Sequence, residues 1–129
     1  MSVIKQFEDL KVWQDSRHFV KSIYLLSDKK SFRDFSLRDQ IRRSSLSVMS
    51  NIAEGFERIS DSEHMQFLNY AKASAAEVRS QLYTTIDLNY IDQATFDTLY
   101  QEITSISRQL AGFMRYLKTP KKPQIKEKR

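Results

Sequence analysis

IRRSSLSVMSNIAEGFER, residues 41–58, reads as one helix although it carries four serines and an asparagine before it reaches glycine. On a helical wheel at about 100° per residue, Leu37, Ile41, Val48 and Ile52 make a core stripe. Leu46, Met49, Ala53 and Phe56 make a second apolar stripe beside it. Together they span more than the ~100° that covers one core. The reading is a helix covered on two sides, by its own bundle and by a partner subunit, with Leu46, Met49, Ala53 and Phe56 at the oligomer interface. Gln40, Ser44, Ser47, Asn51, Glu54 and Arg58 fall on one line at four–three spacing, a polar seam. Gly55 ends or bends the helix.

The next segment repeats the theme. Ser60-Asp61-Ser62-Glu63 is a capping box that opens helix three. Leu68, Ala71, Ala75, Val78, Leu82 and Thr85 step by three and four, the spacing of a bundle seam. Ser74, Glu77 and Gln81 form a short polar line among Ala71, Ala73, Ala75 and Ala76. Small residues let helix backbones approach closely. A polar group left unpaired there costs ~1–3 kcal/mol. The two polar lines therefore read as a hydrogen-bonded network between helices two and three, or across a subunit interface, that fixes register and oligomer state. The competing reading is a pocket built from Asn51, Glu54 and Glu77; the structural one is preferred.

Two further helices complete the set. Asn89 suits a left-handed C-cap. Asp92 caps helix four, with Ile91 and Phe96 placed as a hydrophobic staple. Phe96, Leu99, Ile103, Ile106, Leu110, Phe113 and Leu117 follow without a break, and Pro120 stops the run. Helix one is expected from about Glu8 to Ser27, with Trp13, Val20 and Tyr24 on its inner face and Phe19 and Ile23 beside it. Ser36, with Asp39 three residues on, is the expected N-cap of helix two. Four helices and short loops predict an all-α, up-down-up-down four-helix bundle that oligomerises.

Composition agrees. A chain of 129 residues suits one domain, here residues 1–117, followed by a tail, 118–129. Two glycines and two prolines leave little punctuation for turns. Without cysteine there is no disulfide frame, thiolate nucleophile or cysteine zinc site. No apolar run approaches the ~20 residues of a membrane span, and MSVIKQFEDL does not resemble a secretory signal. The expected location is cytoplasmic, with no membrane partner.

The net charge of +5 resides in the tail, where KTPKKPQIKEKR holds six basic residues and one acid. Residues 1–117 carry fifteen charges of each sign. The tail's Lys118, Lys121, Lys122, Lys126, Lys128 and Arg129 suit phosphate, or simple solvation. Arg42 and Arg43 are adjacent. Arg17, Arg58 and Arg79, with Arg38, Lys72, Arg108 and Arg115, are spread along the helices. Repeated around a ring, Arg17, Arg42, Arg43, Arg58 and Arg79 would make basic bands that bind RNA or DNA backbone, weakening as salt rises. No RNA-module signature or aromatic stacking platform is legible; Tyr90 and Tyr100 alone do not make one.

Catalysis finds little support. His18 and His64 follow Asp15 and Asp61 at i, i+3, a faint likeness to the Glu-x-x-His pair of di-iron bundles. His18 falls opposite Trp13, and His64 lies in the first turn of helix three. Both are read as surface histidines. There is no phosphate loop or serine elbow, and no histidine at helical spacing to activate the serines of helix two. No enzyme activity, cofactor or metal is expected.

Several segments carry a family likeness. Asp9-Leu10 with Val12-Trp13-Gln14, Gln40 with Arg42-Arg43-Ser44 and Ser47, and Ser50-Asn51-Ile52-Ala53-Glu54-Gly55 are followed by Phe67-Leu68, Ala71, Ser74, Glu77 and Gln81-Leu82. The chain, over about residues 8–118, resembles the four-helix-bundle proteins encoded by intervening sequences in 23S rRNA genes, the S23 family. It departs at Arg33 and Met49, where the family often has proline, and at Asn89, where glycine is usual. Met49 predicts a weaker kink. The resemblance implies a ring-like homopentamer without known enzymatic activity. A related bundle is a pentameric accessory subunit of reverse transcriptases in diversity-generating retroelements and contacts nucleic acid and polymerase. The alternative is a structural oligomer whose partner is another protein and which has no nucleic-acid role.

Overall fold

A computed structural model describes residues 4–120. A single 3-10 turn, Phe7–Asp9, precedes four helices: α1 Lys11–Ser27, α2 Phe35–Phe56, α3 Asp61–Asp87 and α4 Gln93–Lys118. Among the described residues each helix packs on its chain neighbours and α4 closes on α1, with no diagonal pairing. Short connections make those neighbours antiparallel, so the architecture is an all-α up-down bundle. Its core joins Phe19 and Ile23, Ile41 and Ile52, Leu68 and Leu82, and Ile103 and Leu110, one pair from each helix in turn.

The helix starts follow side-chain chemistry. Ser60 Oγ accepts from the Glu63 amide at 3.1 Å, and Asp92 Oδ1 accepts from the Thr95 amide at 2.8 Å. Each satisfies one of the amides a helix start leaves without a backbone acceptor. Asn89 takes φ 61°. The Tyr90 amide then reaches Thr85 O at 2.9 Å and the Asn89 amide reaches Ile86 O at 3.1 Å, a Schellman ending.

Four local expectations are corrected. α2 begins two residues earlier than expected, because Asp34 rather than Ser36 caps it, accepting from the Leu37 amide at 2.9 Å. The α-helical part of the first segment starts at Lys11, the residues before it forming the 3-10 turn. The inner face of α1 is Val12, Ser16, Phe19, Ile23 and Ser27, with Trp13 and Val20 half-buried and Tyr24 exposed. Ser16 and Ser27 donate to the carbonyls of Val12 and Ile23 at 2.7 Å each, so a serine turned inward behaves as a small, satisfied side chain. Gly55 neither ends nor turns the helix into the left-handed region: it lies inside α2 with ordinary φ. A Cβ there would stand 3.0 Å from His64 Cδ2 and 3.0 Å from Phe67 Cβ. Glycine is required by how closely α3 crosses α2.

Candidate functional site

Three of the four serines of the opening stretch serve packing, and Ser50 is exposed. Ser44 and Ser45 are buried, and Ser45 donates to Ile41 O at 2.7 Å. Ser47 Oγ meets Ser74 Oγ of α3 at 2.8 Å. Asn51 Nδ2 reaches both Ser47 O at 2.8 Å and Ser47 Oγ at 3.0 Å. This is a hydrogen-bonded seam between α2 and α3. Gln40 and Glu77 stand exposed outside it, Glu54 turns to Arg58 at 3.4 Å, and the Gln81 Oε1 is buried without a hydrogen-bond partner. Asn51, Glu54 and Glu77 therefore do not gather into a pocket.

The second apolar stripe of α2 is narrower than its sequence suggests. Phe56 is only 4 % exposed and packs edge-on to His64 at 6.2 Å between centroids. Its ring is spent within its own bundle and has no surface to offer a second copy. Leu46, Met49 and Ala53 are half-buried. His64 is the second correction: it is fully buried, with the Phe113 ring 4.9 Å away. Its helix starts beneath the Gly55 crossing, and the close approach there turns the imidazole inward. His18 is exposed as expected.

The predicted basic residues separate. Arg42 donates from Nε to Ser27 Oγ at 2.7 Å and from Nη2 to Tyr24 O at 3.3 Å, with its guanidinium 4.5 Å from the Tyr24 centroid. It binds the carbonyl end of α1, where the helix dipole favours a cation. Its Nε and Nη2 are therefore engaged within the bundle. Arg58 lies 4.5 Å from the Phe67 ring as well as beside Glu54. Arg17 and Arg43 are exposed, Arg17 at 5.9 Å from the Trp13 centroid. Lys118 closes α4. Lys121, Lys122, Lys126, Lys128 and Arg129 lie outside the described residues.

Arg79 faces a different groove, between α3 and α4, 5.9 Å from the Tyr100 centroid. Tyr83, Phe96 and Tyr100 form a triangle of rings with centroids 5.2, 5.6 and 5.4 Å apart. Tyr83 is 50 % exposed, while Phe96 beneath it is 9 % exposed. The neighbouring Tyr100 hydroxyl pushes the Tyr83 phenol up, while Tyr83 and Arg79 together lower that of Tyr100. This cluster escaped the sequence reading, although the i, i+4 spacings Arg79–Tyr83 and Phe96–Tyr100 signal one face on each helix.

The groove on the opposite lip of α4 has the other sign. A space of about 380 Å³ between α1 and α4 is lined by Asp15, His18, Glu102 and neighbouring polar residues. Asp15 accepts from Lys11 Nζ at 2.6 Å and Gln109 Nε2 at 2.9 Å. Burial works against its carboxylate, but these bonds and the charges of Lys11 and His18 outweigh it and hold the group below the usual range. Among the described residues no group of three or more His, Asp or Glu side chains is arranged to hold a metal, and no helix is long and apolar enough to cross a membrane.

A cyclic antiparallel bundle with a serine–asparagine seam between its second and third helices is thus the class that fold and site define. The chain belongs to the family of 23S rRNA-intervening sequence proteins, whose model matches residues 8–112. It is also similar to a crystal structure described as a protein of unknown function from the S23 ribosomal protein family of Bacteroides thetaiotaomicron. That likeness has a TM-score of 0.76 and 25 % identity, over 81 % of this chain and 98 % of the other. No curated protein matches the chain.

Proposed function

We propose that this protein is a non-enzymatic, homo-oligomeric bundle that binds the backbone of RNA through basic surface residues. The observation that carries the reading is the segregation of charge on α3 and α4. Between Lys72 and Tyr83 the one carboxylate is Glu77, and between Tyr100 and Arg115 it is Glu102. Glu77 shares the side of α3 that holds Ser74 and Gln81, towards α2, and Glu102 lines the α1–α4 groove. On a helical wheel Lys72 and Arg79 fall on one face of α3, and the exposed Arg108 and Arg115 on one face of α4, with no carboxylate on either face over those spans. A body of zero net charge can thus present a cationic band.

Oligomerisation extends that band. The half-buried Leu46, Met49 and Ala53 still leave α2 an apolar strip beside its seam. A second copy would cover it, and a ring of copies would repeat each band and each basic tail about one axis. The family likeness supports a pentamer and a role beside a reverse transcriptase or another polymerase, in the cytoplasm.

The test is an anisotropy titration of a plain labelled RNA with the full-length chain across a salt series. Affinity should fall linearly in log–log form, by about 0.7 per phosphate neutralised if the RNA is single-stranded. Absence of binding at low salt leaves a structural oligomer with a protein partner.

A further inference from the structure

Resting on that reading, we infer that the α3–α4 face is the RNA site, and that it takes an unpaired strand with a base stacked on Tyr83 and phosphates on Lys72, Arg79 and Arg108. Three features of the face lead there.

The first is the aromatic triangle. Phe96 is a buried foundation, Tyr100 is half-buried on it, and Tyr83 shows half its surface. The Tyr83 ring packs against both Phe96 and Tyr100, at 5.2 and 5.6 Å between centroids, so two neighbouring rings restrict its rotation. A held, half-exposed ring is a stacking surface that loses little side-chain freedom when a base settles on it. A duplex hides its base faces, so only an unpaired base can use it.

The second is the placement of cations. Arg79 lies next to the rings, over Tyr100. Lys72 precedes it by seven residues, two turns and ~10 Å along the same face of α3. Arg108 follows Tyr100 by eight residues, about 80° round α4 and ~12 Å along it. Because α3 and α4 are antiparallel, both point the same way from the rings. The band therefore starts at an aromatic end and continues in cations, the order that a nucleotide's base and its neighbouring phosphates require.

The third is the polarity of the ends. Asp87 and Asp97 lie one turn beyond Tyr83 and just before Tyr100, on the loop side of the rings. Asp97 accepts from Gln93 Nε2 at 2.8 Å. These acids close off that side to phosphate, so the strand leaves the rings towards Lys72 and Arg108.

The experiment uses full-length protein and a labelled twelve-nucleotide oligouridine, with a duplex of equal length beside it, at low salt. Tyr83 is exposed, so its variants should fold; circular dichroism checks this. Tyr83→Ala should weaken single-strand binding about tenfold or more. Tyr83→Phe, which keeps the ring, should stay within about twofold of wild type. The pair Lys72→Ala with Arg108→Ala should flatten the salt dependence by roughly 1.4 in log–log slope, two contacts' worth on a single strand. Lys21→Ala, exposed on α1, should change little. Undiminished binding by Tyr83→Ala overturns the site while leaving RNA binding itself intact. Equal affinity for the duplex overturns the unpaired strand. No binding by the wild type overturns both this site and the function on which it rests.

Discussion

A methyl group at Gly55 would come within 3.0 Å of the His64 ring. The crossing of α2 over the first turns of α3 is set at that point, and it buries His64 with Phe56 and Phe113. The neighbouring obstacle is Phe67 Cβ, also at 3.0 Å, an atom fixed to its backbone that cannot rotate aside.

The two glycines therefore predict substitutions of opposite sign. Alanine is better than glycine inside a helix by ~0.8–1 kcal/mol, but overpacking costs ~1–3 kcal/mol. Gly55→Ala should lose about 1 kcal/mol of stability on balance. At Gly112 the added Cβ would meet only the end of the Arg115 side chain, at 3.7 Å. Gly112→Ala should gain up to ~1 kcal/mol. Urea denaturation of both variants reads the two signs directly.

Arg42 predicts a separation of stability from binding. Its Nε and Nη2 are engaged with Ser27 and the Tyr24 carbonyl at the end of α1. Arg42→Ala should lower stability by about 1–2 kcal/mol, through lost charged hydrogen bonds and helix-end charge, and leave RNA affinity within about twofold. Thermal melts and the RNA titration, run on the same preparation, check both halves.

Asp15 predicts an acid limb. Its folded carboxyl lies below the ordinary value, near 3.9 in an unfolded chain. A depressed carboxyl stabilises the fold above the unfolded value, and that contribution disappears as pH falls through the folded one. Asp15→Asn should therefore be less stable at pH 7 by the ~0.2–1 kcal/mol of an exposed pair. The gap should close below about pH 4. Thermal midpoints collected from pH 7 to 3 give the comparison.

Much of the bundle was legible because caps and periodicity are local. Ser60, Asn89 and Asp92 occupy the positions their chemistry suggests, and the core stripes of α3 and α4 are buried as their spacing implies, except that Phe113 is half-buried. The inner face of α1 was misread because Ser16 and Ser27 look polar until their hydroxyls bond their own helix. His64 was misread because its burial depends on Gly55, nine residues earlier on another helix. The aromatic cluster at Tyr83 was missed because Tyr83, Phe96 and Tyr100 become neighbours only when the register of α3 on α4 is known. Half of the α2–α3 seam was visible as spacing, but which members bond required the distance between Ser47 and Ser74.

The most direct measurement is sedimentation velocity of the full-length chain at micromolar concentration, with and without a fluorescent single-stranded RNA at low salt. The expected result is a protein species several times heavier than the 15.2 kDa chain, with RNA sedimenting in it and released as salt rises. A single 15.2 kDa species, with RNA sedimenting alone, would contradict it.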